Sequence, residues 1–234
     1  MAASARPVPP RQEPDLTRCA DPDLEDGARF EDVEITGSPA GVVAHDVEIA
    51  GSRLTAARLS GIELGGFRLV DAVVEDCELS GALLGEASIE RVAFRGCRLS
   101  GTVLVGAQLR NVSFVDCKLD GVVLRMATGH RVWFEDSVLS DADLHGMRIT
   151  DARFFDCDLQ RADVTDADLR GARFHGSRLD DLRGALGLRG ATVDPGQVLT
   201  LSLPLCRAAG VAVAEERDPP EPAAGRSSPV SRRR

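Results

Sequence analysis

The sequence predicts an all-β solenoid, a chain wound into a four-sided coil and closed at its far end by one helix. Three observations predict it. From Phe94 a twenty-residue sentence recurs, with Phe94, Phe114, Phe134, Phe154 and Phe174 each opening a copy. Inside each twenty lies a beat of five: the 27 positions reached in steps of five from Ile49 to Leu179 are all aliphatic or Phe except Gly129. After Leu179 the beat dissolves through Gly184, Gly187 and Gly190, and a helix-start signal follows.

A period of five fits neither regular element. On an α-helix each step of five rotates a side chain by roughly 140°, which spreads the large apolar residues over every face. On a flat strand it alternates faces. A second set, two residues before each central position from Val47 to Ser177, holds only Ala, Cys, Ser, Thr or Val apart from Ile62, Phe67 and Met147. Both sets stay inside only if the chain turns a corner about every five residues. Four corners return it to its starting side, which accounts for the recurrence at twenty. Stacked turns then lie about 4.8 Å apart, with backbone hydrogen bonds along the axis.

A small residue, a polar residue, a central Leu or Phe and two more polar residues form the motif of Ala142-Asp143-Leu144, Ala162-Asp163-Val164 and Ala167-Asp168-Leu169. Over residues 47–183 the chain resembles the pentapeptide-repeat family. That resemblance implies a right-handed quadrilateral β-helix; its hand comes from the resemblance and not from the period.

Composition narrows the function classes. Tyr is absent and aromatics are few, as a narrow coil requires. The net charge of −9 is uneven: residues 21–50 carry nine acids against Arg29 alone, whereas 51–190 carry 21 acids against 18 bases. A nearly balanced shaft argues against direct binding of nucleic acid, which favours a basic stripe. Met1 to Pro14 has no apolar signal core, and no run is long enough to span a membrane. With unpaired cysteines in prospect, the expected location is cytoplasmic.

In chain order, residues 1–20 crowd Pro7, Pro9, Pro10 and Pro14 among Ala and Arg, and read as a disordered arm with too little apolar surface to order itself. Residues 21–46 read as an irregular amino-terminal cap: Phe30 and Ile35 keep the beat, out of register with Ile49, and Pro39 and Gly41 interrupt it. Residues 47–183 are the coil, and 184–217 the carboxy-terminal helix and cap. Asp194-Pro195-Gly196-Gln197 offers an N-cap acceptor, Pro at the first helical position and Gln at the capping-box position. The helix should run to about Ala209 and end at Gly210, with a kink at Pro204. Val198, Leu201, Leu205 and Ala209 make one apolar face and Leu199, Leu203 and Cys206 another, so one face covers the coil and the other is a candidate homodimer surface. Residues 218–234 read as a disordered tail.

Few residues invite chemistry. Cys77, Cys97, Cys117 and Cys157 share one inner slot with Ser137 and Ser177; a straight line of thiols cannot wrap a metal, and small buried hydrophobes are the plain reading. His45, His130, His145 and His175 are scattered on the outside with no nucleophile set against them. A convex prism offers no concavity for a substrate, so neither enzyme, cofactor nor metal is expected. Asp76, Asp116, Asp136 and Asp156 recur at one corner, interrupted by Gly96 and Gly176. They form either a row of negative charge facing a partner or turn residues accepting backbone hydrogen bonds. Trp133 takes an outward position in the column of Ser113, Arg153 and Arg173, where an exposed indole beside Arg153 would make a cation–π pair or a contact hot spot, with Phe155 on the same strand.

The residues thus point to a non-catalytic interaction or scaffold protein with an unidentified macromolecular partner. The resemblance adds an alternative, because some pentapeptide-repeat proteins mimic duplex DNA, dimerise through a carboxy-terminal helix and bind DNA gyrase to protect it from inhibitors such as quinolones. An acidic surplus along the shaft is what that alternative requires, and a balanced shaft departs from it.

Overall fold

The computed structural model describes residues 6–11, 15–39 and 41–213. Residues 47–183 wind as a right-handed quadrilateral β-helix. Every central position from Ile49 to Leu179 is buried except Gly129, and so is nearly every small position two residues before it. Each level pairs in parallel with the level twenty residues on, as in Leu109 with Gly129 and Phe114 with Phe134. The ladder runs along the axis in two directions: the Leu99 amide donates to the Lys118 carbonyl at 2.6 Å, and the Arg98 amide donates to the Cys77 carbonyl at 2.9 Å.

The corners obey one rule. Every fifth residue from Gly51 to Asp181 has positive φ, the left-handed conformation that favours Gly, Asp and Asn. Of these 27 corners, 21 are Gly, Asp or Asn; Ala56, Glu86, Arg91, Met126, Arg131 and Arg161 are the exceptions. Two of the arginine corners are tied to the aspartate corner one level below. Arg91 grips both carboxylate oxygens of Asp71 at 2.7 and 2.6 Å, and Arg161 grips Asp141 at 2.8 and 2.6 Å.

Inside, the five phenylalanines form one file. Phe94, Phe114, Phe134, Phe154 and Phe174 stack with ring centroids 4.7–4.9 Å apart and planes within 7° of parallel. Their spacing is the coil repeat, so the backbone ladder sets the stack rather than any ring preference. Below Phe94 the file continues as Val74 and Leu54, which are smaller, and there an apolar void of about 30 Å³ runs beside Leu24, Ile35, Leu54 and Val74.

The amino-terminal coils are more regular than the sequence suggests. Phe30 pairs with Ile49 and Ile35 with Leu54, offsets of nineteen, whereas Ala44 pairs with Leu64, an offset of twenty. The cap is therefore a coil one residue short, and the missing residue falls between Ile35 and Ser38, since the Arg58 amide donating to the Gly37 carbonyl already keeps the twenty-residue register. Gly37 belongs there because a Cβ would sit 2.3 Å from the Ala20 carbonyl oxygen.

The free arm expected over residues 1–20 is corrected where the chain is described. Thr17–Cys19 is a strand paired with Val33–Ile35, and residues 6–11 lie against the shaft. The backbone amides that apolar burial would leave unsatisfied find acceptors on the coil instead. Residues 1–5 of the arm and the tail over 218–234 lie outside the described residues.

At the far end Asp194 and Gln197 form the expected capping box. A short 3-10 turn, Pro195–Gln197, leads into α1, Val198–Ala208, which runs through Pro204; Gly210 follows with φ 74°. Gln197 seals the coil by donating to the Phe174 and Ser177 carbonyls, both at 2.6 Å. The predicted inner face is narrower than expected: Leu201 is buried, but Val198 and Leu205 remain exposed.

Candidate partner interface

The outward residues on one side of the shaft decide what a partner would meet. This side carries residues 72–75, 92–95, 112–115 and 132–135, whose second residues form the column Val73, Ala93, Ser113, Trp133. One bounding corner is Asp71, Arg91, Asn111 and Arg131, and the other holds the aspartates singled out from the sequence. Asp76, Asp116, Asp136 and Asp156 are all exposed and all have φ between 49 and 53°, so each is a left-handed turn residue facing solvent. At the level of Gly176 the row continues through Asp194, whose carboxylate accepts from the Gly176 amide at 2.7 Å. That hydrogen bond, with His175 at 2.6 Å, holds the Asp194 carboxyl below its ordinary range.

Trp133 and Phe155 are brought together, with ring centroids 5.6 Å apart in an edge-to-face arrangement. Phe155 in turn stacks on His175 at 6.2 Å. Together they make a half-buried aromatic line beside the acidic corner. Arg153 does not join it. Its side chain is buried, donating from Nη1 to the Ala152 and Gly171 carbonyls at 2.8 and 3.0 Å, and burial lowers its pKa. Two backbone carbonyls outcompete the indole for the guanidinium. The cation over Trp133 is Arg6 instead, 5.7 Å from the ring centroid. Sequence reasoning missed Arg6 because 127 residues separate it from Trp133.

Charges on the other columns are largely paired with alternating sign across neighbouring levels: Arg95 with Glu75, Arg178 with Asp158, Arg125 with Asp143. The inner cysteines are free and closed in by apolar neighbours; Cys157 donates to the Phe155 carbonyl at 3.2 Å, and burial pushes its thiol up to about 12. Among the described residues no cluster of three or more His, Cys, Asp or Glu has metal-site geometry. None of their helices is long and apolar enough to cross a membrane. At the far end Leu199 is 85% exposed and Leu203 49%, while Cys206 is half-buried.

Two family models match the chain: the pentapeptide repeat region over residues 87–154, and pentapeptide repeats (8 copies) over residues 148–181. No curated protein matches it. Solved structures similar to the chain include QnrB1, a plasmid-mediated fluoroquinolone resistance protein, at 19% identity, covering 85% of this chain and 99% of that one with a TM-score of 0.49. HetL, a pentapeptide repeat protein involved in heterocyst differentiation regulation from Nostoc sp. strain PCC 7120, is 19% identical over 73% of this chain and 91% of its own, with a TM-score of 0.22. A pentapeptide repeat protein from the Arabidopsis thaliana thylakoid lumen is 21% identical over 40% of this chain and 65% of its own, with a TM-score of 0.24. With the family models matched and the five-residue corner rule kept from Gly51 to Asp181, the chain belongs to the pentapeptide-repeat family.

Proposed function

We propose that this protein is a non-catalytic binding rod whose partner, a macromolecule, docks on the face carrying Trp133 and Phe155. The observation that carries this is the pairing of a half-buried aromatic line with the exposed corner row Asp116, Asp136 and Asp156. Aromatic groups held rigid on one face, with charge at its rim, are the composition of an interaction hot spot. The rigidity comes from the ladder beneath, so the face costs little ordering on binding. Affinity capture from the native host tests it. A partner retained by the wild-type chain should be lost with Trp133→Ser, which places the Ser113 side chain one level on; retention by both would contradict the reading.

A second reading is that the rod mimics DNA and binds gyrase. The acid row favours it, running through Asp116, Asp136, Asp156 and then Asp194. The alternating ion pairs on neighbouring columns oppose it, since a DNA-binding partner reads uninterrupted negative charge. A supercoiling assay with gyrase and a quinolone decides: protection that disappears in an Asp116→Asn, Asp136→Asn, Asp156→Asn variant supports it, and no protection removes it. Either reading is compatible with a homodimer through Leu199 and Leu203 of α1, with Cys206 alongside. Sedimentation should then give twice the monomer mass for the wild type and the monomer mass for Leu199→Glu.

A further inference from the structure

Residues 6–11, Arg-Pro-Val-Pro-Pro-Arg, do not lie on the shaft at random. The Val8 amide donates to Asn111 Oδ1 at 3.2 Å and the Arg11 amide to Asp71 Oδ1 at 3.0 Å. Asn111 and Asp71 belong to one corner column, two levels apart, a separation of about 9.6 Å at the strand spacing. Three residues of polyproline II helix advance about 9.3 Å. The two acceptors are thus spaced to suit a polyproline II backbone, and the residues they take, Val8 and Arg11, keep the amide hydrogen that the intervening prolines lack. Arg6 sits over Trp133 one level further up the shaft.

The surface beneath is built as a trough. Its floor column is Val73, Ala93 and Ser113, small side chains, and Trp133 closes the upper end. Val73 and Ala93 point outward yet are buried. A cleft of about 230 Å³ lies between Arg6–Pro10 and Ala93, Ser113, Trp133 and Glu135. Trp133 Nε1 is enclosed there and has no acceptor among the described residues. The Asp71 carboxylate lies below its ordinary range through Arg91, with the Arg11 amide and charge adding to the effect. An aromatic-ended groove with side-chain acceptors at the polyproline step is the kind of arrangement by which proline-rich segments are captured.

We propose that this groove is a receptor for an arginine-flanked, proline-rich segment of another protein, and that the chain's own residues 6–11 are a built-in strap that occupies it until such a segment arrives. The charge of the groove selects the flanks. Asp71 meets Arg11, and Glu135 lines the cleft with Arg6 beside Arg95, so the acids at the two ends of the groove favour a segment with Arg on both flanks. The proposal rests on the binding-rod reading and names its partner class.

Trp133 is the only tryptophan, so its fluorescence reports the groove in the intact chain. The full-length wild type is compared with a strap-loosened chain carrying Arg6→Ala, Pro9→Gly and Pro10→Gly. Loosening should raise acrylamide quenching of Trp133 about twofold or more. A synthetic peptide with the sequence of residues 5–12 should restore protection, at a concentration at least about tenfold lower than the wild type needs, because the tethered strap competes at high effective concentration. Asn111→Gly in the loosened chain, a change that suits the left-handed corner, should weaken the peptide several-fold without moving the thermal midpoint. Unchanged quenching on loosening, no protection by the peptide, or equal protection by a peptide with Glu in place of both Arg would overturn the proposal. Protection that instead grows with protein concentration and doubles the mass would assign the groove to the strap of a second copy. Capture of a Trp133-dependent partner together with failure of the peptide defeats this proposal alone; absence of any such partner defeats the binding-rod reading itself.

Discussion

The two halves of the shaft share one backbone and differ in what fills it. From Phe94 to Phe174 the widest inner file is a continuous stack of rings, and the side chains around it, such as Leu109, Leu124 and Leu144, have no measurable exposure. From Leu24 to Leu84 the same file holds Leu54 and Val74, and the apolar void of about 30 Å³ runs along these turns and ends against Phe94, Leu104 and Phe114. With every lining group apolar, a water would find no partners, so the space stays dry. The difference teaches that the five-residue beat sets the path of the chain, while the identity of one residue in twenty sets how tightly each turn is packed on the next. In a solenoid each turn leans only on its neighbours, so such a difference stays local.

The contrast can be broken most directly by truncating the file in each half. Phe134→Ala removes a ring stacked on both sides and should cost about 3–5 kcal/mol. Leu54→Ala, beside existing space into which neighbours relax, should fall near 2 kcal/mol, the low end of its class. Denaturant unfolding measures both, and equal losses would erase the distinction. Gly129 sharpens it within the tight half. A Cβ there would sit 2.3 Å from the Leu109 carbonyl oxygen, so Gly129→Ala must push two levels apart and should cost about 1–3 kcal/mol, although the slot looks like room for a side chain. Enlarging the file separates the halves in the opposite sense. Val74→Phe extends the stack by one ring toward the void and should change stability by less than about 1 kcal/mol, whereas Leu139→Phe in the filled half should cost about 1–3 kcal/mol.

The smallest effects concern corner and cap. Met126 holds φ 59° with its side chain half exposed, and Met126→Asn should stabilise by up to about 1 kcal/mol, since Asn tolerates that conformation. Asp194, held below its ordinary range by the Gly176 amide and His175, contributes stability that is present above its unfolded value near 3.9 and lost as pH falls through the lower folded value. The helical circular dichroism of α1 should therefore decline below about pH 4 in the wild type, and be independent of pH there in Asp194→Asn.

Much of this was legible in the sequence. The Phe file, the thiol slot and the capping box of Asp194 and Gln197 each follow from local spacing, because in a coil position modulo five fixes which way a side chain points. The corner rule was equally present, as Gly, Asp or Asn before most of the small inner residues, and it explains why Asp76, Asp116, Asp136 and Asp156 suit their places whatever else they do. What spacing cannot show is competition among distant groups. Arg153 occupies an outward slot yet turns to the Ala152 and Gly171 carbonyls, and Pro7 to Pro10, with too little apolar surface to order alone, settle on a trough formed by residues about a hundred positions away.

Native-state hydrogen exchange, resolved amide by amide, tests the central claim most directly. Slowest exchange is expected for central amides of the ring-filled turns, such as Leu119, Leu139 and Leu159, with distinctly faster exchange for Leu59, Leu64 and Leu79 beside the void. Uniform protection along the shaft, or the slowest amides in the Leu54 and Val74 turns, would contradict the account.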